Sequence, residues 1–133
     1  MTAHIHKVRI YYEDTDCGGV VYYANYLRYL ERARTEFLEA AGASLKGLMD
    51  EGVFFVVAEA ALKYRAPGRY GDILVISTVV EKTGPASIVF RHSVGREGTK
   101  EELVEASVKL GCVGKDMKPM RLPDEIRRAV SSI

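Results

Sequence analysis

Residues 11–27, YYEDTDCGGVVYYANYL, hold the densest set of groups able to do chemistry. Two acids, Asp14 and Asp16, sit one residue apart, ahead of Gly18 and Gly19 and the start of a helical pattern. A carboxylate can attack a carbonyl carbon or take a proton from water. A helix N-terminus offers backbone N–H groups with no intrahelical acceptor, together with the positive end of the helix dipole. An oxygen gaining negative charge is stabilised there. Glycines lack a Cβ, so backbone can approach a ligand closely. The same residues also admit a plainer role, because acids before a helix are common caps and Gly pairs are common turns. Tyr22, Tyr23 and Tyr26 can line an acyl pocket or simply belong to the core.

The elements that must position this stretch follow from periodicity. Residues 4–12 alternate loosely and carry β-branched and aromatic side chains, which predicts a strand. From about Tyr23 the period lengthens. Tyr26, Leu27, Leu30, Ala33, Phe37, Leu38 and Ala41 recur at steps of three and four, the stripe of an amphipathic helix. Arg28, Glu31, Arg32, Glu36 and Glu39 take the other face, with Arg32 and Glu36 spaced to pair. Gly42 suits a position just past the helix end. Ser44 suits the cap of a short second helix over 44–51.

Four strands are predicted after that, at about 53–65, 72–82, 86–96 and 102–114, with turns at Pro67–Gly68, Gly84–Pro85 and Gly95–Gly98. Residues 123–131 can form a terminal helix. One helix cannot cover four such strands unless the sheet curls round it, which implies an α+β arrangement in one domain, 1–133. Residues 53–58 and 72–82 are apolar on both faces, whereas an antiparallel sheet of one small domain has one wet face. The spare apolar face points to a second subunit.

Composition narrows the function. With 19 basic and 18 acidic residues the formal charge is +1, too balanced to gather nucleic acid or anionic lipid over a distance. The opening MTAHIHKVRI has no apolar signal-peptide core. The longest apolar run, 53–58, is too short for stable membrane insertion. Cys17 and Cys112 make no disulfide framework, so each thiol is read as a small packing residue in a reducing, cytoplasmic setting. His4 and His6 share a strand face without further metal ligands at suitable spacing, which reads as a solvated strand end and not a metal site. His92 reads as a hydrogen-bonded core or interface residue. Glu59 can face a cleft or an interface.

The stretch from Tyr11 to Tyr26 resembles the signature of the hotdog-fold acyl-CoA thioesterases. That group contains 4-hydroxybenzoyl-CoA thioesterase and the Tol–Pal-associated (YbgC-like) enzymes. The pattern is an aromatic, two acids one residue apart, a small residue, a Gly-Val-Val-like step, an aromatic pair and a polar residue plus Tyr opening the helix. RYLERARTEFL (28–38) matches as well, and weaker similarity runs through 63–74, 90–94 and 118–123. The resemblance implies a long central helix wrapped by a curved antiparallel sheet. It puts the catalytic aspartate at Asp16 and the N–H that polarises the thioester carbonyl at Tyr23, and leaves Asp14 structural. Candidate substrate-binding positions are Gly19, Val20, Tyr22 and Tyr26. It further implies acyl-CoA as substrate, no metal or redox cofactor, and a homodimer or homotetramer.

Two departures bear on substrate. Tyr23 stands where the Tol–Pal-associated members usually carry His, and the hydroxybenzoyl enzyme resembles this chain there. That enzyme has a basic run where this chain has TGPAS (83–87), with only Lys82 nearby. Lys63, Arg65, Arg69 and Arg91 are then the cations available to the CoA phosphates. The expected reaction is hydrolysis of short-chain or aromatic acyl-CoA to the free acid and CoA. The rival readings are a non-catalytic acyl-CoA-binding or assembly subunit and a hotdog hydroxyacyl dehydratase.

Overall fold

The computed structural model describes residues 3–131. Five strands form one antiparallel sheet: β1 (His4–Arg9), β2 (Phe54–Tyr64), β3 (Ile73–Thr83), β4 (Ser87–Arg96) and β5 (Glu102–Val113), in the order β1-β3-β4-β5-β2. The long helix α1 (Asn25–Ala40) follows β1, α2 (Leu45–Asp50) follows α1, and α3 (Asp124–Ser131) closes the described chain. Irregular registers at Val57/Glu59, Val80/Lys82 and Val94/Gly95 leave extra residues in β2, β3 and β5. Such bulges bend strands and add twist, which lets the sheet curl round α1.

The core lies between α1 and the inner face of the sheet. Ile88, Phe90, His92 and Val94 of β4 and Ala106, Val108, Leu110 and Cys112 of β5 all point inward and are buried. The alternation predicted for these strands holds. Phe37 of α1 meets Phe90 edge to face at 5.7 Å. Leu30 is fully buried, and a side chain of that size contributes about 1.5–3 kcal/mol on leaving water.

The stripe of α1 needs correction. Tyr26, Leu30, Ala33, Phe37 and Leu38 are buried as expected, but Leu27 is 45% exposed and Ala41 is exposed. Tyr29 and Arg34 are buried in their place. Arg34 can be buried because a partner from the sheet reaches it: its Nη1 donates to His92 Nε2 at 3.3 Å, and His92 Nδ1 lies 3.0 Å from Thr78 Oγ1. A guanidinium has no acceptor, so His92 carries its proton on Nδ1 and donates it to Thr78. Burial, and then the charge of Arg34, push the His92 pKa down to about 3, so the ring is neutral throughout the working pH range. The expected Arg32–Glu36 ion pair does not form among the described residues.

Smaller features differ too. β1 ends at Arg9 instead of 12, because its ladder on β3 runs out at Ile73 and the chain turns into a 3-10 segment at Tyr12–Asp14. His4 packs its ring edge against Phe37 at 5.9 Å and is not a solvated strand end. Cys112 is buried as expected, but Cys17 is exposed at a turn tip and packs against no core. Ser44 caps α2 by accepting from Gly47 N–H at 3.0 Å, and Gly42 adopts φ +99°, the left-handed conformation that ends α1.

Candidate active site

The loop between β1 and α1 is a small hairpin. Asp16 N–H donates to Val20 O at 2.9 Å, Tyr22 N–H to Asp14 O at 2.9 Å, and Thr15 pairs with Val21. The connection is Cys17–Gly18–Gly19, closed by Gly19 N–H to Asp16 O at 3.1 Å. Gly19 has φ +78°. A three-residue hairpin loop requires a left-handed residue at its last position, and glycine meets that without strain. The pattern DCGGV therefore encodes the turn that presents Asp16.

Asp16 is exposed at this turn. Its Oδ1 accepts from Gly18 N–H at 2.8 Å, which fixes the carboxylate, while Oδ2 has no hydrogen bond among the described residues. A Cβ on residue 18 would lie 3.3 Å from Asp16 Oδ1, so Gly18 makes room for that geometry. Asp14 is placed differently. Its Oδ2 accepts from Tyr11 N–H at 2.8 Å and closes the 3-10 turn, and its carbonyl accepts from Asn25 Nδ2 at 2.9 Å. Burial first, and the Asp14 charge second, hold the hydroxyl of buried Tyr29 well above the ordinary phenol range.

The helix begins without a side-chain cap. The N–H groups of Tyr23 and Ala24 donate to no acceptor among the described residues. They remain free to bind a ligand oxygen at the positive end of α1. Tyr22 and Tyr23 are exposed, their ring centroids 4.9 Å apart. Tyr64 of β2 joins them, edge-on to Tyr23 at 6.3 Å. Tyr26 is 3% exposed, and its hydroxyl accepts from Gly68 N–H at 3.1 Å. It braces the site from below and presents no surface of its own. The structure thus groups Asp16, Gly19, Val20, Tyr22 and Tyr23 around one hairpin and sets Tyr26 behind it.

Residues that were not anticipated hold the hairpin in place. Val21 N–H donates to Gly68 O at 2.8 Å, and Val20 bridges to Arg69. The 67–72 segment is in turn fixed by Arg96, whose Nη2 donates to Pro67 O at 2.7 Å and whose Nε donates to Asp72 Oδ2 at 2.9 Å. Burial alone would raise the Asp72 pKa, but the Arg96 and Arg69 N–H bonds outweigh it and hold the carboxyl below its ordinary range. The sequence signals for this brace were the Pro-Gly turn and the Arg69-x-x-Asp72 spacing; its Arg96 partner comes from another strand and carries no local signal.

An antiparallel sheet curled round one long helix, with an acidic hairpin at that helix's N-terminus, defines a hotdog-fold protein of the α+β class. The pattern of the Thioesterase superfamily matches residues 18–103. The acyl-CoA thioester hydrolase YbgC of Escherichia coli is 46% identical over 121 residues, covering 90% of this chain and 89% of the relative. The acyl-CoA thioesterase YbgC of Haemophilus influenzae is 42% identical over 125 residues, covering 92% and 90%. A 1,4-dihydroxy-2-naphthoyl-CoA thioesterase from Synechocystis, only 20% identical, has the same fold, with a TM-score of 0.92 over 98% of this chain and 97% of that one. The chain belongs to the thioesterase superfamily, and its reaction class is thioester hydrolysis.

Proposed function

We propose that this chain hydrolyses short-chain or aromatic acyl-CoA to the free acid and CoA, with Asp16 as the catalytic carboxylate and the Tyr23 N–H as oxyanion donor. The observation that carries the reading is the hairpin. It holds an exposed carboxylate with a free Oδ2 and leads into α1 through Tyr23 and Ala24, whose N–H groups are also free among the described residues. The thioester oxygen sits on the Tyr23 N–H, and one such donor is worth about 2.7–4 kcal/mol in the transition state. Asp16 then follows one of two courses. As nucleophile it adds to the carbonyl carbon, the C–S bond breaks, CoA leaves as thiolate and is protonated, and water hydrolyses the mixed anhydride. As base it takes a proton from the water that attacks. Substrates and products are the same in both.

Tyr22, Tyr23 and Tyr64 form an aromatic ledge beside the reacting position, which supports a preference for aromatic or short acyl groups. A kinetic panel of acyl-CoAs tests the function and the preference together. Benzoyl- or short-chain substrates are expected to give the highest kcat/KM; palmitoyl-CoA as the best substrate would overturn the preference, and no hydrolysis of any member would overturn the function.

Among the four candidate cations, Arg69 is best placed for the CoA phosphates. Arg65 is held by Glu102 and Glu105, at 3.3 and 2.6 Å, and Arg91 by Glu81 at 2.6 Å. Lys63 lies with Arg91 and Glu105 on the outer face of the sheet. Arg69 pairs through its backbone with Val20 of the hairpin, and its guanidinium makes no ion pair among the described residues. Arg69→Ala is expected to raise KM for acyl-CoA about tenfold, the low end for a charged hydrogen bond. The matching N-acetylcysteamine thioester, which has no phosphate, should be unaffected. Equal losses on both substrates would remove Arg69 from phosphate binding.

The active unit is proposed to be a homodimer, two of which can pair into a homotetramer. β2 is an edge strand of 11 residues paired only with β5, and residues 57–61 are exposed in succession. A long apolar edge invites pairing. A groove of about 210 Å³, lined in part by Leu38, Met49, Phe55 and Val57, runs beside that edge and is open in the single chain. Antiparallel pairing of two β2 strands about a two-fold axis satisfies the edge and brings a partner to the groove. Two free cysteines suit a cytoplasmic location, and no helix of the described residues is long and apolar enough to cross a membrane.

A further inference from the structure

The proposed oxyanion donor works only if residue 23 is held still, since preorganised donors cost no reorganisation as charge develops. The helix itself does not hold it. In a regular α-helix the Tyr23 carbonyl would accept from Leu27 N–H, but Leu27 N–H donates to Ala24 O at 3.2 Å. The Tyr23 carbonyl is taken instead by the hydroxyl of Tyr64, at 3.2 Å, from a position 41 residues away in sequence. The two rings also meet, edge-on, with centroids 6.3 Å apart, and the Tyr64 ring rests on Tyr26 at 5.8 Å. Residue 23 is thus gripped at its carbonyl and at its ring, while its N–H is left free.

We propose that Tyr64 is a positioning residue for the hydrolysis, clamping Tyr23 so that its N–H faces the thioester oxygen. The clamp rests on the function proposed above and adds to it a link from the end of β2 to the start of α1. The phenol acts only as donor to the carbonyl, and burial, followed by Tyr23, holds its pKa above the ordinary value. Tyr64 is 49% exposed, so loss of its hydroxyl leaves the core intact.

Tyr64→Phe keeps the ring contacts and removes only the donor. Its kcat is expected to fall about 3- to 10-fold, the factor set by one hydrogen bond of ordinary net strength. KM should stay within about twofold, because ground-state binding through the rings is unchanged. The ¹³C shift of the Tyr23 carbonyl, read by NMR with specific labelling, should move in the variant, a change that a merely packing role would not produce. Unchanged kcat, a rise in KM alone, or an unmoved carbonyl shift would each overturn the clamp, with the function still standing if the wild type is active and Asp16→Asn is not. If the wild type hydrolyses no acyl-CoA, or Asp16→Asn matches it, the function itself fails and the clamp falls with it.

Discussion

Asp16→Asn is expected to lower kcat at least about 10²-fold, the low end for loss of a general acid–base or nucleophilic group. Asparagine keeps Oδ1, so the bond from Gly18 N–H and the shape of the turn can persist. What disappears is the charge and the free Oδ2. KM should change little, because the thioester oxygen is bound by backbone N–H groups that the substitution does not touch. Asp14→Asn is the matched control, two residues away in the same hairpin. Asp14 spends its Oδ2 on Tyr11 N–H, and asparagine can replace that acceptor only by reorienting. A stability loss of about 1 kcal/mol with near-normal kcat is expected. Steady-state kinetics and thermal melts on both variants check this. Equal, mild losses of kcat in the two would mean that Asp16 is not the catalytic group.

The second large effect concerns assembly. Light scattering should give a mass of about 30 kDa or a multiple, against 14.8 kDa for one chain. Val57→Asp combined with Ala61→Asp puts four carboxylates along a two-fold β2 seam. Like charges set against one another across an interface cost several kcal/mol, so the dimer dissociation constant should rise at least about 10²-fold above wild type. Both positions are exposed in the single chain, so the variant should fold, as circular dichroism can verify. A wild type that is monomeric and fully active at nanomolar concentration would disprove the dimer. A charged variant that stays dimeric would move the interface away from β2.

Much of the fold was legible because the sequence repeats its signals. Strand alternation in 86–96 and 102–114 and the three-four spacing of Tyr26, Leu30, Ala33, Phe37 and Leu38 each fix a buried face locally. The strands from β2 to β5 consequently lie within about a residue of expectation, well inside the usual uncertainty of strand ends. Turn chemistry was equally local. Gly19 at its left-handed position and Ser44 at its cap act within three residues of themselves. The order of motif residues from Tyr11 to Tyr26 was enough to name the family.

What the sequence by itself determined was therefore the element order, the family and the presence of an acid at a glycine turn before a helix. Only the tertiary structure decided which neighbours those residues keep. Leu27 is exposed where the stripe expected burial, and Arg34, to which the pattern gave no place, is buried because an acceptor for its guanidinium, His92, comes from a strand 58 residues away. Tyr26 proved to be a brace because its hydroxyl meets Gly68, and Tyr64 became part of the site because β2 ends beside Tyr23. Arg69 stood out among four cations once Glu102, Glu105 and Glu81 were seen to occupy two of the others. Local pattern follows from backbone geometry and the polarity of each side chain. Hydrogen-bond partners, and the freedom of Asp16 Oδ2 and the Tyr23 N–H, follow from long-range packing, which periodicity does not encode.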